Sequence, residues 1–320
     1  MSEIHPIGTI TEVTITAFKT SQIRSHFERS SSCLVLSVIL CSLSYIQSHA
    51  DDCRGNATPA PAETFKEGDE PYTITVGDNK FSTPYGYGRE ANAGRKYPLV
   101  VIGKWGEGNR YFNEDIRKTH PSFYLEFQQS SDTDGARLAG IIGAACEKGL
   151  RIDVNRILYT GFSAGGSGSF KLVRGMAGKG KYFAGLNRVA GQSESVMAET
   201  ATGRTALWLH IGLKDVPKRV EVSRELYQNL KKHPVNAGAI ETHVSDTVKD
   251  PNDTAKDVPR NTWILTKNGV EIVRYSEYPT CAHDAWIGYA DPYMFEWIFG
   301  REMLEMDRQA ESKLNQSGKR

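Results

Sequence analysis

Apolar positions along this chain fall into runs of two kinds. Residues 97–103 (YPLVVIG) and 205–211 (TALWLHI) are nearly continuous, as in strands buried on both faces. Residues 157–160 form a shorter β-prone run, and 272–278 (IVRYSEY) predict the last strand. Tyr72 to Val76 alternates, and with the turn Gly77-Asp78-Asn79 and a return over 80–83 it predicts a hairpin. Between the strands the period changes. Residues 132–148 (DTDGARLAGIIGAACEK) predict an amphipathic helix capped by Asp132 or Asp134, 220–232 predict a second, and 292–305 a terminal one carrying Trp297, Ile298 and Phe299. Strands alternating with helices predict an α/β fold, a mainly parallel sheet with helices on both faces.

The 157–160 run stops at Gly161-Phe162-Ser163-Ala164-Gly165, and a small-residue segment follows it. Thirty glycines make a chance Gly-x-Ser-x-Gly easy to find, so the context decides. A strand before and a helix after describe a nucleophile elbow, with the glycines avoiding a clash where strand and helix cross. Such a turn strains the serine and projects its hydroxyl above the sheet. It also leaves the positive end of the helix facing any developing oxyanion. In sheets of this kind function collects at the carboxyl ends of the strands. Gly103, Ser163, Asp215 and His283 all fall there.

A serine hydroxyl needs a base, and the base needs an acid to fix its tautomer. His283, after the last strand, is the candidate base and Asp215 the candidate acid. Their order, Ser163…Asp215…His283, is the one that accompanies this elbow. Asp284 is a rival acid, but neighbouring residues rarely point at each other's tips, and a capping role suits it better. His210, within a strand, and His243, in a polar stretch, read as structural. The backbone N–H of Ala164 and one from the loop after Gly103 would bind the oxyanion. Trp105 is the first choice for that second donor and Gly106 the next, while the Trp105 ring could equally wall the pocket or cover the core.

Composition narrows the setting. The chain has 320 residues, a formal net charge of +1 and 39% hydrophobic residues, enough for one large domain and no argument for nucleic acid or an anionic membrane as partner. Residues 33–46 (CLVLSVILCSLSYI) are too short an apolar run to span a bilayer comfortably. With Arg24 and Arg29 ahead and Ser48-His49-Ala50 behind, they predict a secretory signal cut after Ala50, on a polar extension long for its kind. The protein is then expected to be secreted or periplasmic, with no stable membrane association after cleavage. Of five cysteines, Cys53, Cys146 and Cys281 remain, and Cys146–Cys281 and Cys53–Cys281 are both open as pairings. The Cys281-x-His283 spacing lacks a second ligand pair, so no metal is expected, and no cofactor.

YPLVV (97–101), RIDVNRILYTGFSAGG (151–166), IGLKDVPKRVEVSRELYQNL (211–230), EYPTCAHDAW (277–286) and DPYMFEW (291–297) together resemble α/β-hydrolase esterases. The group is that of polyhydroxybutyrate depolymerases, feruloyl and acetyl-xylan esterases and bacterial "predicted peptidases". The resemblance implies the α/β-hydrolase fold, with Ser163 as nucleophile, Asp215 as acid, His283 as base and Ala164 as oxyanion donor. It further implies hydrolysis of carboxylic esters, small or attached to polysaccharide. Nothing here resembles the gating domain of an oligopeptidase, which disfavours a serine peptidase.

Two departures stand out. Relatives open the oxyanion loop with His-Gly, whereas this chain reads Gly103-Lys104-Trp105-Gly106. That change motivates a rival reading, an inactive hydrolase fold serving as an extracellular binding protein. Residues 236–261 read as an insertion, either a lid or substrate-binding edge or a solvated excursion. The expected organisation is a signal with its extension over 1–50 and a lead-in with hairpin over 51–90. A catalytic domain over 91–300 and a helical tail over 301–320 complete it.

Overall fold

The computed structural model describes residues 68–103, 107–128, 133–192 and 203–304. The proposed signal, Cys53, the Lys104-Trp105-Gly106 segment and the end of the tail lie outside them.

The N-terminal hairpin is β1 (Thr73–Val76) with β2 (Asn79–Ser82), paired antiparallel around Gly77, whose φ of 57° suits a residue without a Cβ. Next come β3 (Tyr97–Gly103), α1 (Glu114–Thr119), β4 (Phe123–Phe127), α2 (Thr133–Glu147) and β5 (Ile152–Phe162). They are followed by α3 (Ala164–Ala177), β6 (Gly185–Val189), β7 (Ala206–Gly212) and α4 (Pro217–Lys232). The last elements are β8 (Ile240–Asp250), β9 (Asp253–Lys267), β10 (Val270–Tyr278) and α5 (Tyr293–Phe299).

All ten strands form one sheet in the order β1-β2-β4-β3-β5-β6-β7-β10-β9-β8. The centre, from β4 to β10, is parallel throughout, and antiparallel strands close both edges. Every residue of β3 and β7 is buried, as their unbroken apolar runs predict. Successive side chains of β5 reach opposite faces. The Tyr159 hydroxyl donates to the Gly165 carbonyl of α3 (2.8 Å), while Thr160 Oγ1 meets Tyr289 Oη (2.7 Å) beyond β10. Both faces are therefore covered. The chain leaves β3 for β4 on one side and β5 on the other, so the carboxyl ends of β3 and β5 border a topological switch point.

Two expectations change. Residues 236–261 are no loose excursion. They hold β8 and most of β9, a hairpin that widens the sheet. An aromatic ladder attaches it, with His243 stacked on Trp263 (4.8 Å), Trp263 on Tyr275 (5.7 Å) and Tyr275 on Tyr227 of α4 (5.2 Å). Asn261 of β9 is already opposite Glu277, near the end of β10, so residues 253–260 continue past the carboxyl edge of the sheet. Pro259 lies in that overhang, where β9 has a neighbour on one side only, a setting that tolerates proline. Arg260 ties the overhang down, donating to Asp246 (2.9 and 2.6 Å) and to Asp291 (2.6 Å).

The terminal helix is also shorter than 292–305. It ends at Phe299, and Gly300 N–H closes it on the Glu296 carbonyl (2.9 Å). Arg301 then folds back, donating to the Trp297 and Glu271 carbonyls (3.1 and 2.9 Å). The chain continues extended, with Met303 N–H on the Asn155 carbonyl (2.8 Å).

Candidate active site

β5 drives into a turn at Ser163, which has φ 54° and ψ −113°, a strained conformation for a residue with a Cβ. Its N–H donates to the Val189 carbonyl at the end of β6 (2.9 Å), and its own carbonyl accepts from the Ser167 N–H and hydroxyl (2.8 and 3.1 Å). A turn gripped on both sides can hold such strain.

The glycines account for the tightness, with one shift from the sequence reading. A Cβ on Gly161 would lie 2.6 Å from the Gly165 backbone, so that glycine is required. One on Gly165 would meet nothing closer than 3.4 Å, an ordinary contact. Gly166, outside the motif, is the tighter place, because its Cβ would sit 2.7 Å from the Val189 carbonyl oxygen.

His283 and Asp215 arrive on two loops fastened together. Leu213 N–H donates to the Tyr278 carbonyl (3.0 Å) and Lys214 N–H to the Cys281 carbonyl (2.8 Å). Gly212 makes that approach possible, since a Cβ there would be 2.1 Å from the Ala282 carbonyl oxygen. In the joined loops His283 Nε2 lies 2.9 Å from Ser163 Oγ, and His283 Nδ1 lies 2.7 Å from Asp215 Oδ2. The His283 ring packs on Phe162, 4.7 Å between centroids. Ser163, Asp215 and His283 are thus brought together as predicted.

Asp215 is completely buried in its side chain, and Oδ1 accepts from the Val216 N–H (2.6 Å) and Arg219 Nη1 (2.7 Å). Burial pushes its pKa up, but the bonds from Arg219, His283 and Val216 outweigh burial and leave it below the usual aspartate value. Asp215 therefore stays a carboxylate. Asp284 is not the acid, because its Oδ2 accepts the Ala282 N–H (2.9 Å) and caps the turn. Ala164 opens α3 directly after Ser163, at the positive end of its dipole. Trp105, the expected second oxyanion donor, lies outside the described residues.

With Ser163 after β5, Asp215 after β7 and His283 after β10, the sheet carries these residues in the order and at the ends that the elbow architecture demands. This is the α/β-hydrolase fold.

No family model matches the chain, and no curated protein matches it. Several solved structures are similar. Acetyl xylan esterase from Aspergillus awamori is 12% identical over 72% of this chain and 99% of its own, with a TM-score of 0.47. A protein named FAE is 12% identical over 77% and 93%, with a TM-score of 0.45. An esterase from Pyrobaculum calidifontis is 13% identical over 78% and 84%, with a TM-score of 0.41. These distant likenesses carry no weight for the chemistry, which rests on the chain's own residues.

The remaining candidates sort by geometry. No disulfide joins Cys146 to Cys281, so the Cys146–Cys281 pairing is wrong. Cys146 lies on α2, which leads into the amino end of β5, whereas Cys281 is in the loop beyond the carboxyl end of β10. Pairing with Cys53 lies outside the described residues. His210 is buried, with Nδ1 on Tyr278 Oη (3.1 Å), and His243 belongs to the aromatic ladder.

Sequence reasoning missed Arg219 and Gln192. With its amide oxygen turned towards Arg219, Gln192 accepts from Nε (2.9 Å) and Nη2 (2.5 Å). Arg219 was findable, since a helix starting after Asp215 places i+4 beside it.

Proposed function

We propose that the chain is a serine hydrolase of carboxylic esters. The observation that carries the reading is the single ring of His283, within hydrogen-bond reach of Ser163 on one side and Asp215 on the other. Ser163 Oγ attacks the ester carbonyl carbon while His283 Nε2 takes its proton, and the Asp215 carboxylate stabilises the resulting imidazolium. The Ala164 N–H, at the start of α3, is the proposed donor to the oxyanion. As the tetrahedral adduct collapses, His283 returns the proton to the departing alcohol. Water then repeats the sequence on the acyl-enzyme and frees the acid.

The resemblance in sequence makes acylated polysaccharide and small esters the first substrates to try. The residue 33–46 run supports export, so the protein is proposed to work in the periplasm or outside the cell.

The test is fluorophosphonate labelling of wild type beside Ser163→Ala and His283→Ala, with p-nitrophenyl acetate turnover on the same samples. Labelling should vanish in the first variant and fall at least about 10³-fold in the second, with ester turnover following it. A well-folded wild type that takes no label would overturn the reading and favour the binding-protein alternative.

A further inference from the structure

The carboxylate of Asp215 serves two masters. One oxygen holds His283, and the other holds a guanidinium. The Val216 N–H (2.6 Å) and Arg219 Nη1 (2.7 Å) are the two donors to that second oxygen, one for each of its lone pairs. What Arg219 adds is a full positive charge 2.7 Å from the group that must stabilise an imidazolium. That charge repels an imidazolium on the other side of the carboxylate and so offsets part of the carboxylate's attraction for it.

Arg219 is also held from behind. Its Nε and Nη2 donate to Gln192, the Gln192 N–H donates to Ser167 Oγ (2.6 Å), and the Ser167 hydroxyl donates to the Ser163 carbonyl. Acid, arginine, glutamine and elbow therefore make a closed circuit of hydrogen bonds. An isolated helix pair at i, i+4 would have no such return path.

Resting on the serine-hydrolase reading, we propose that Arg219 is a positioning residue of the triad. It fixes Asp215 relative to the Ser163 turn, and its positive charge offsets part of the negative potential that Asp215 presents to His283. The other groups facing this cluster do not duplicate it. Lys218 pairs with Glu221 on α4 (3.6 Å), and Lys214 meets the base loop through its N–H on the Cys281 carbonyl. Asp284 is turned onto the Ala282 N–H, Cys281 is buried, and the elbow presents the uncharged Phe162 ring.

The sign follows directly. Removing Arg219 deletes a nearby cation, which favours the imidazolium. The acid limb of reactivity must then move to higher pH.

The experiment measures the rate of fluorophosphonate labelling of the full chain across about pH 5 to 9. For Arg219→Met the acid limb should move up by about half to one pH unit and the plateau rate fall several-fold, roughly up to tenfold. Arg219→Lys, which keeps the charge, should hold the limb within about 0.2 unit of wild type. Gln192→Ala, which loosens Arg219 without removing it, should shift the limb upward by less than Arg219→Met does. An Arg219→Met limb that overlays wild type would overturn the proposal, even if its thermal midpoint fell. Should that variant not fold, an unshifted Gln192→Ala or a strongly shifted Arg219→Lys does the same. A wild type inert at every pH would instead sink the hydrolase reading, and Arg219 with it.

Discussion

His210 lies inside β7 and His283 in the loop beyond the neighbouring parallel strand β10, and each has Nδ1 on an oxygen, yet only one is placed to act as a base. Around His210 the sheet is sealed. The ring stacks on Trp208 (4.9 Å), bonds the neutral Tyr278 hydroxyl, and is buried near the cations Arg260 and Arg274. Burial, with those two charges after it, holds its pKa well below the ordinary histidine value. Around His283 the sheet has ended. Its side chain is 31% exposed, and its partner is a carboxylate. A general base must be able to become a cation and give the proton up again. The interior forbids the first step, and the rim permits both.

Four variants put pressure on that contrast. The largest effect is expected from Asp215→Asn, which keeps the shape of the rim but favours the wrong tautomer of His283. Labelling should slow by about 10³- to 10⁴-fold with the thermal midpoint nearly unchanged. The matching change inside, Tyr278→Phe, should cost about 1–3 kcal/mol of stability by denaturant melt and leave labelling within roughly twofold.

The second is a pH effect on stability. A histidine whose folded pKa lies below its unfolded value binds its proton in the unfolded chain first. Stability is therefore full above about pH 6.5 and falls as pH drops through it, by about 1.4 kcal/mol per pH unit for one such group. His210 and the half-buried His120, whose pKa burial also lowers, both act in this direction. His210→Phe, which keeps the stacking on Trp208, should flatten the slope in melts between about pH 4 and 6.5 by close to one proton. An unchanged slope would show that His210 is not the sealed group described.

The smallest effect concerns the elbow. Ser163→Gly frees a residue held at φ 54° and should gain about 1 kcal/mol while abolishing labelling. A loss of stability would mean that the turn is not strained by its side chain.

Much of this was legible before any coordinates. The continuous apolar runs of β3 and β7, the glycines about Ser163 and the order of the three polar residues sufficed for the sheet centre and for the meeting of Ser163, Asp215 and His283, because burial on two faces leaves little choice of residue. The unread parts are those where polar residues do structural work. Strand β6 is Gly-Leu-Asn-Arg-Val, and nothing in that string announces a buried strand. Asn187 is nevertheless buried on Thr160 and the Gly288 carbonyl, and Arg188 on the Gly191 carbonyl. Strand β8 is exposed along most of its length, so it shows no apolar face, and only its alternating Thr242, Val244 and Val248 betray it. Arg219 was hidden for another reason. A charge on the first turn of a helix is ordinary, so its i, i+4 spacing from Asp215 is easily passed over.

The wing of β8 and β9 has a consequence for how the molecule assembles. Its two strands are consecutive in sequence and β9 runs straight on into β10, so this meander can zip from local contacts alone. Strand β10 must then dock beside β7 across a long stretch of chain, a contact of high sequence separation and slow to close. Asp215 lies on one side of that seam and His283 on the other. Reactivity at Ser163 is thus expected to return last in refolding, after tryptophan fluorescence and circular dichroism have recovered, which makes the triad a clock for the closing of the sheet.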